Sequence, residues 1–89
     1  MKTTTLTVLN SLGLHARPSA KIAKLANLYD SEILLTANNK TVDAKSIMQL
    51  MMLAAKQGTN ITLTATGNEE DQAIIALSEL FNSAFDEKT

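Results

Sequence analysis

The 89-residue chain contains no cysteine and no tryptophan, and it has only one histidine, one proline and three glycines. Without cysteine there is no disulfide and no thiolate ligand, and one histidine supplies too few nitrogen ligands for a zinc ion. Aromatic residues make up 3% of the chain, and eight basic against nine acidic residues give a net charge of −1. Nucleic acid is therefore not an expected partner, because a basic surface and stacking platforms are both lacking. We expect no metal and no cofactor.

Long apolar runs are lacking as well. No segment approaches the length of a membrane span, and the N-terminal residues do not form the apolar core of a signal peptide. We therefore expect a cytoplasmic protein that does not insert into membranes. The length fits one domain over residues 1–89, whose core must be built from aliphatic side chains.

Apolar periodicity predicts four strands and three helices in the order βαββαβα. The strands alternate polar and apolar residues, which is typical of an antiparallel sheet with one solvated face. We predict an α+β fold in which three helices cover the other face of a four-stranded antiparallel sheet. The predicted strands are residues 3–9, 32–37, 40–43 and 60–66, and the predicted helices are residues 18–28, residues 46–55 and a last helix capped by Gly67 and Asn68.

Local signals refine these boundaries. The pair Asn38 and Asn39 suits the positive φ angles of a hairpin turn. Ser46 and Gln49 have the spacing of a capping box, in which each side chain bonds the other residue's backbone amide. Gly58 is placed to end the second helix. The last residues, 85–89, are predicted to be a frayed terminus.

Residues 12–18, with the sequence LGLHARP, hold the only histidine, the only proline and one glycine of the chain. A glycine turn followed by a proline that can open a helix predicts that His15 lies at a helix N-terminus. The unpaired amides and the positive dipole end of such a terminus attract anions, and Arg17 adds a bidentate donor. His15 is therefore a candidate phosphoryl acceptor, with the Ala16 and Arg17 amides as phosphate ligands. The alternative is an exposed or capping histidine without a chemical role.

The surroundings of His15 favour a carrier over a stand-alone enzyme. No carboxylate adjoins His15 in the sequence as an orienting base, and so short a chain cannot enclose a substrate. A phosphoryl group attached here would be carried rather than consumed.

The same residues resemble a known family. Residues 12–18 are similar to the active-site signature of the HPr phosphocarriers of bacterial phosphotransferase systems. Residues 44–55, followed by Gly58 and Thr59, are similar to the second motif of that family, at the right separation from the first. The resemblance implies an open-faced β-sandwich, which agrees with the predicted element order. Residues 50–58 and 80–87 are more similar to the nitrogen-related NPr branch than to the enteric sugar-transport carrier.

The resemblance also implies roles for single residues. His15 would accept phosphate at Nδ1 from a phosphorylated Enzyme I and pass it to a IIA-type protein, while Arg17 stabilises the phosphohistidine. Ser46 occupies the position that an HPr kinase/phosphorylase modifies in many relatives. A helix-capping role explains Ser46 equally well.

A partner surface is expected on the second predicted helix. Its apolar residues, Ile47, Met48, Met51 and Met52 among them, cannot all face inward, so some must be exposed. Adjacent methionines suit a surface that adapts to several partners. By resemblance the partner-binding residues are Lys24, Ile47, Met48, Gln49 and Met51.

Two functions remain open from the sequence. The first is a phosphoryl carrier in sugar uptake or in nitrogen and carbon regulation. The alternative is a regulatory docking module of the same fold, controlled by phosphorylation of Ser46. A monomer is expected in either case, since one face must be presented to successive partners.

Overall fold

The computed structural model of the protein describes residues 1–86 and has the predicted element order. The sheet is antiparallel throughout, and from edge to edge its strands are Lys2–Thr7, Asn60–Gly67, Ser31–Ala37 and Lys40–Asp43. The predicted α+β fold, an open-faced sandwich of four strands and three helices, is confirmed. The elements are β1 (Lys2–Thr7), α1 (Ala16–Ala26), β2 (Ser31–Ala37), β3 (Lys40–Asp43), α2 (Ile47–Leu53), β4 (Asn60–Gly67), α3 (Glu70–Asn82) and a short 3-10 helix, η1 (Ala84–Asp86).

The two faces of the sheet differ in chemistry. Apolar residues alternate into the helical side, where Ile33, Leu35, Ile61 and Leu63 are fully buried. On the open side, one row of threonines crosses all four strands in register. The row consists of Thr5, Thr62, Thr36 and Thr41, and the last two hydroxyls are 2.9 Å apart. This row consists of uncharged hydroxyls, whereas the histidine of the chain lies at the start of α1.

The C-terminal part of the described chain belongs to the core. Phe85 is fully buried and makes an edge-to-face contact with Phe81, with ring centroids 4.9 Å apart. The Lys21 ammonium donates a hydrogen bond to the Phe85 carbonyl. The prediction of a frayed terminus is therefore wrong for Phe85, because aromatic burial outweighs the polar character of its neighbours. Residues 87–89 of that prediction lie outside the described residues.

Turn and cap predictions have mixed outcomes. Asn38 and Asn39 both have positive φ, 53° and 64°, so the predicted hairpin turn between β2 and β3 is confirmed. The N-cap of α3 is Glu69, not Gly67 or Asn68. The Glu70 carboxylate instead accepts a hydrogen bond from the Gly67 amide at 3.0 Å and pairs with the N-terminal ammonium at 3.1 Å. Both partners favour the ionised form, so the pKa of Glu70 is lowered.

Strand β1 and helix α2 are both shorter than predicted. Strand β1 pairs with β4 only as far as Thr7, whereas the prediction extended it to Leu9. Helix α2 ends at Leu53 rather than near Ala55. Ala54 is the C-cap of α2 in the left-handed conformation, with φ 54° and ψ 37°. Gly58 lies in the following turn and does not end the helix. An alanine can end a helix in this way only at a steric cost of about 1–2 kcal/mol.

Two further observations bear on the class of protein. Within residues 1–86, no helix has both the length and the hydropathy to cross a membrane. The same residues contain no group of three or more His, Cys, Asp or Glu side chains positioned to hold a metal ion.

Replacing Ala54 with glycine removes the left-handed strain at the end of α2. We expect Ala54→Gly to raise the free energy of unfolding by up to about 1 kcal/mol, because relief of strain exceeds the added chain entropy. Urea unfolding measures the change. The matched control is Ala20→Gly, since Ala20 is exposed in the right-handed interior of α1. The free energy of unfolding of Ala20→Gly should fall by about 1 kcal/mol. If it fell in Ala54→Gly as well, backbone strain at Ala54 would be contradicted.

Candidate active site

The segment between β1 and α1 lies against the turn between α2 and β4. Val8 donates its amide to the Thr59 carbonyl at 3.0 Å, and Gly58 donates to the Val8 carbonyl at 2.8 Å. Further along, the Leu14 amide donates to the Ala55 carbonyl at 2.9 Å. These three bonds place the residue after Leu14, which is His15, beside the C-terminal end of α2.

Gly13 permits this close approach. Its φ is +70°, and a Cβ on Gly13 would lie 2.4 Å from the Ala55 carbonyl oxygen and 2.9 Å from the Lys56 Cα. The Gly13 carbonyl in turn accepts a 2.7 Å hydrogen bond from the amide group of the buried Asn10 side chain. Only glycine satisfies both the backbone conformation and the available space.

His15 is the N-cap of α1, in extended conformation with φ −78° and ψ −168°. Its carbonyl accepts the first helical hydrogen bond, from the Ser19 amide at 3.1 Å. The helix therefore begins at Ala16, two residues before the predicted start, and Pro18 is its third residue rather than its first. Proline is tolerated there because no amide of the first turn has a helical acceptor.

The first turn of α1 consequently offers two amides at the positive end of an 11-residue helix. They belong to Ala16 and Arg17, since Pro18 has no N–H. Ala16 and Arg17 are exposed, His15 is partly exposed, and Pro18 is buried. The structure thus brings together the imidazole, two backbone donors and a guanidinium-bearing residue, as the sequence predicts. Such an end attracts an anion from solvent.

Helix α2 runs alongside α1 in the opposite direction. The Leu14–Ala55 bond joins the start of α1 to the end of α2, and Asn27 Nδ2 donates to the Lys45 carbonyl at 3.1 Å at the other end. The exposed faces of the two helices therefore form one surface that includes His15.

Ser46 caps α2, but the predicted capping box is only half formed. Ser46 Oγ accepts the Gln49 amide at 3.2 Å, as expected. Gln49 Oε1 does not reach back to Ser46; it accepts the Asp43 amide at 2.9 Å. The Ser46 amide donates to the Asp43 carbonyl instead, so the turn after β3 satisfies it.

The outer face of α2 is apolar and exposed. Leu50 and Leu53 face the core, whereas Ile47, Met48, Met51 and Met52 are 44%, 73%, 45% and 67% exposed. The expectation that part of this helix faces solvent is therefore correct. Lys24 of α1 and Gln49 of α2, the other predicted partner residues, are exposed too.

The structure adds two exposed apolar residues that sequence reasoning missed. Leu12, in the same loop as His15, is 71% exposed. Ala20 is exposed one turn after Ala16 and one turn before Lys24. These three α1 residues are four positions apart and therefore share one face of the helix, away from the buried Ile22 and Ala26. This spacing could have indicated from the sequence that Ala20 is exposed.

Comparison with known proteins identifies first the fold and then the family. The crystal structure of HPr-C-His from Thermoanaerobacter tengcongensis is 43% identical, covers 100% of both chains and superposes with a TM-score of 0.95. The family model described as "PTS HPr component phosphorylation site" matches residues 2–83. The chain belongs to the HPr family of phosphocarrier proteins, which act in the phosphotransferase system.

Relatives with two different names are similar to this chain. The phosphocarrier protein HPr of Pseudomonas aeruginosa is 48% identical over 83 residues, which is 92% of each chain. The phosphocarrier protein NPr of Escherichia coli is 42% identical over 84 residues, which is 93% of each chain. Membership in the family and a phosphocarrier role therefore follow from sequence and fold together.

A side chain at Gly13 should displace the segment that carries His15. We expect Gly13→Ala to lower the free energy of unfolding by at least about 2 kcal/mol, through left-handed strain and a clash with Ala55. It should also shift the amide NMR signals of Leu14 and Ala16. Urea unfolding and a ¹H–¹⁵N spectrum measure both effects.

Gly58→Ala is the matched control. Gly58 also has positive φ, 89°, but a Cβ there would meet no atom of residues 1–86 within 4 Å. Gly58→Ala should lower the free energy of unfolding through backbone strain alone. It should leave the amide NMR signals of Leu14 and Ala16 unchanged. The same spectral changes in both variants would contradict the role assigned to Gly13.

Proposed function

We propose that His15 is the phosphoryl acceptor of this carrier. The observation that supports the proposal is the position of His15 as N-cap of α1, directly before the exposed amides of Ala16 and Arg17. A nucleophile and an anion-binding helix end coincide there. The phosphoryl donor is an Enzyme I-type protein, and the acceptor is a IIA-type protein.

For the transfer, the carrier supplies a nucleophilic nitrogen and hydrogen-bond donors for the phosphoryl group. The imidazole Nδ1 attacks phosphorus, the N–P bond forms, and the bond from phosphorus to the donor breaks. The new negative charge lies next to the Ala16 and Arg17 amides and within reach of the flexible Arg17 side chain, which can form two charge-assisted hydrogen bonds. The open position of His15 lets the next acceptor reach the same phosphorus.

Docking is assigned to the exposed surface beside His15. We define the docking surface as the five residues Lys24, Ile47, Met48, Gln49 and Met51. Apolar side chains at its centre supply contact area, and Lys24 supplies positive charge toward an acidic partner. Methionine side chains can repack against donor and acceptor in turn.

The alternative is a regulatory docking module controlled by an HPr kinase/phosphorylase at Ser46. Ser46 is half-buried, and its hydroxyl caps α2. A phosphate on this hydroxyl would add charge at the edge of the docking surface and oppose an acidic partner. The cap by itself accounts for a serine at this position, so the carrier function is the proposal that we favour.

The next question is where the carrier acts and in what oligomeric state. We propose a cytoplasmic monomer, because Enzyme I-type and IIA-type proteins must reach one face in alternation. Both sugar uptake and nitrogen or carbon regulation fit a carrier of this kind. Deleting the host's phosphotransferase operons one at a time would distinguish these two roles. The operon whose deletion abolishes phosphate on His15 is the one that supplies the carrier.

Phosphorylation by Enzyme I tests the carrier function. The protein is incubated with purified Enzyme I-type proteins of the host and phosphoenolpyruvate, and its intact mass is measured. We expect one acid-labile phosphate on the wild type and none on His15→Ala. An unmodified wild type with every such donor would refute the carrier. Stable partner binding without phosphate on His15 would favour the docking module.

A charge at the centre of the docking surface should impede transfer. We expect Met48→Glu to lower kcat/KM for transfer from Enzyme I by at least about tenfold, since a buried carboxylate and lost apolar contact together exceed 1.4 kcal/mol. The matched control is Ile75→Glu on α3, where Ile75 is 60% exposed outside the docking surface. Equal rates for the two variants would remove Met48 from the docking surface.

A further inference from the structure

Three of the four methionines of the chain lie within five positions of α2. Met48, Met51 and Met52 are 73%, 45% and 67% exposed, and none of them contributes to the buried core. The fourth, Met1, is the first residue of the chain and is 79% exposed. Thioether sulfur is oxidised when an oxidant can reach it, so all four are chemically accessible.

The three α2 methionines do not point to the same place. Residues of an α-helix are about 100° apart around its axis, and the buried Leu50 and Leu53 mark the inner side. Met52 lies on the β3 side, where it lines a shallow cleft with Gln49, Lys40 and Val42. Met51 lies with Ile47 on the opposite flank, toward α1, and Met48 lies between Met51 and Met52 around the helix. Met48 and Met51 therefore belong to the docking surface, and Met52 lies at its border.

We propose that Met48 and Met51 are a redox modification site, at which peroxides convert the thioethers to sulfoxides and so switch off docking. This inference rests on the proposed carrier function. Docking would then be controlled by oxidation of these methionines, independently of phosphorylation.

The reaction balances with peroxide as the oxidant. A sulfur lone pair attacks one peroxide oxygen, the S–O bond forms and the O–O bond breaks. Sulfur loses two electrons, and the proton of the attacked hydroxyl oxygen passes to the second oxygen, which leaves as water, or as an alcohol for an alkyl hydroperoxide. The sulfoxide oxygen is a polar acceptor where an apolar side chain stood before.

The consequence for docking differs from the consequence for folding. A partner that covers Met48 must strip water from the sulfoxide, and this costs free energy unless the partner offers a donor. The core is untouched, since Leu50 and Leu53 carry the packing of α2. Oxidation should therefore impede transfer and leave the thermal unfolding transition unchanged.

The test treats the intact protein with hydrogen peroxide, maps sulfoxides by peptide mass spectrometry and measures transfer from Enzyme I. Among the α2 methionines we expect Met48 and Met52 to react before Met51, in order of exposure. The transfer rate should fall at least tenfold with modification of Met48 and Met51. Treatment with both methionine sulfoxide reductases should restore it, because each reductase acts on one epimer.

Two leucine variants locate the effect, each compared with its own rate before peroxide. Met48→Leu/Met51→Leu should keep its rate after peroxide although Met1 and Met52 are oxidised, whereas Met52→Leu should lose activity as the wild type does. Full transfer by wild type carrying both sulfoxides would overturn the inference. An equal peroxide loss in the double leucine variant would also overturn it. Failure of the untreated wild type to accept phosphate would instead refute the carrier function, and the inference with it.

Discussion

The hydrogen bond from the Leu14 amide to the Ala55 carbonyl joins the two parts of the molecule on which the proposed activity depends. It brings the start of α1 next to the end of α2, so that His15 and the apolar face of α2 share one surface. Gly13 allows the bond because any side chain there would meet the same carbonyl. Ala54, which precedes that carbonyl, adopts the left-handed conformation that ends α2 and frees Ala55 to turn toward Leu14. Backbone strain is thus located next to the contact that positions the site.

Rigid and adaptable parts are separated in this fold. The sheet, Leu50 and Leu53 form a packed base for α2, whereas the outer methionines make no contribution to the core. A surface of this kind can change its contacts without a change in stability. A polar group added to these exposed side chains would change the polarity of this surface and leave the buried Leu50 and Leu53 in place.

Element types and their order were predictable because each strand and helix has its own apolar period. The position of His15, Ala16 and Arg17 at the start of a helix was predictable from a local pattern. Two of the wrong boundaries share a physical cause. The early start of α1 and the early end of α2 depend on backbone contacts between segments distant in the chain, which no local period encodes. Gln49 accepts a hydrogen bond from the Asp43 amide rather than from the Ser46 amide, because the turn after β3 brings the Asp43 amide within its reach. Burial of Phe85 depends on the ring of Phe81, four residues earlier, and on the Lys21 contact, which arises only once α1 packs beside the end of α3.

We propose that the first turn of α1 holds the phosphoryl group on His15. A ¹H–¹⁵N spectrum recorded before and during phosphorylation by Enzyme I measures this contact. We expect the Ala16 and Arg17 amides to show the largest downfield shifts, because they donate hydrogen bonds to phosphate oxygens, while the amide signals of the strands stay in place. Unchanged Ala16 and Arg17 signals in a fully phosphorylated sample would contradict it.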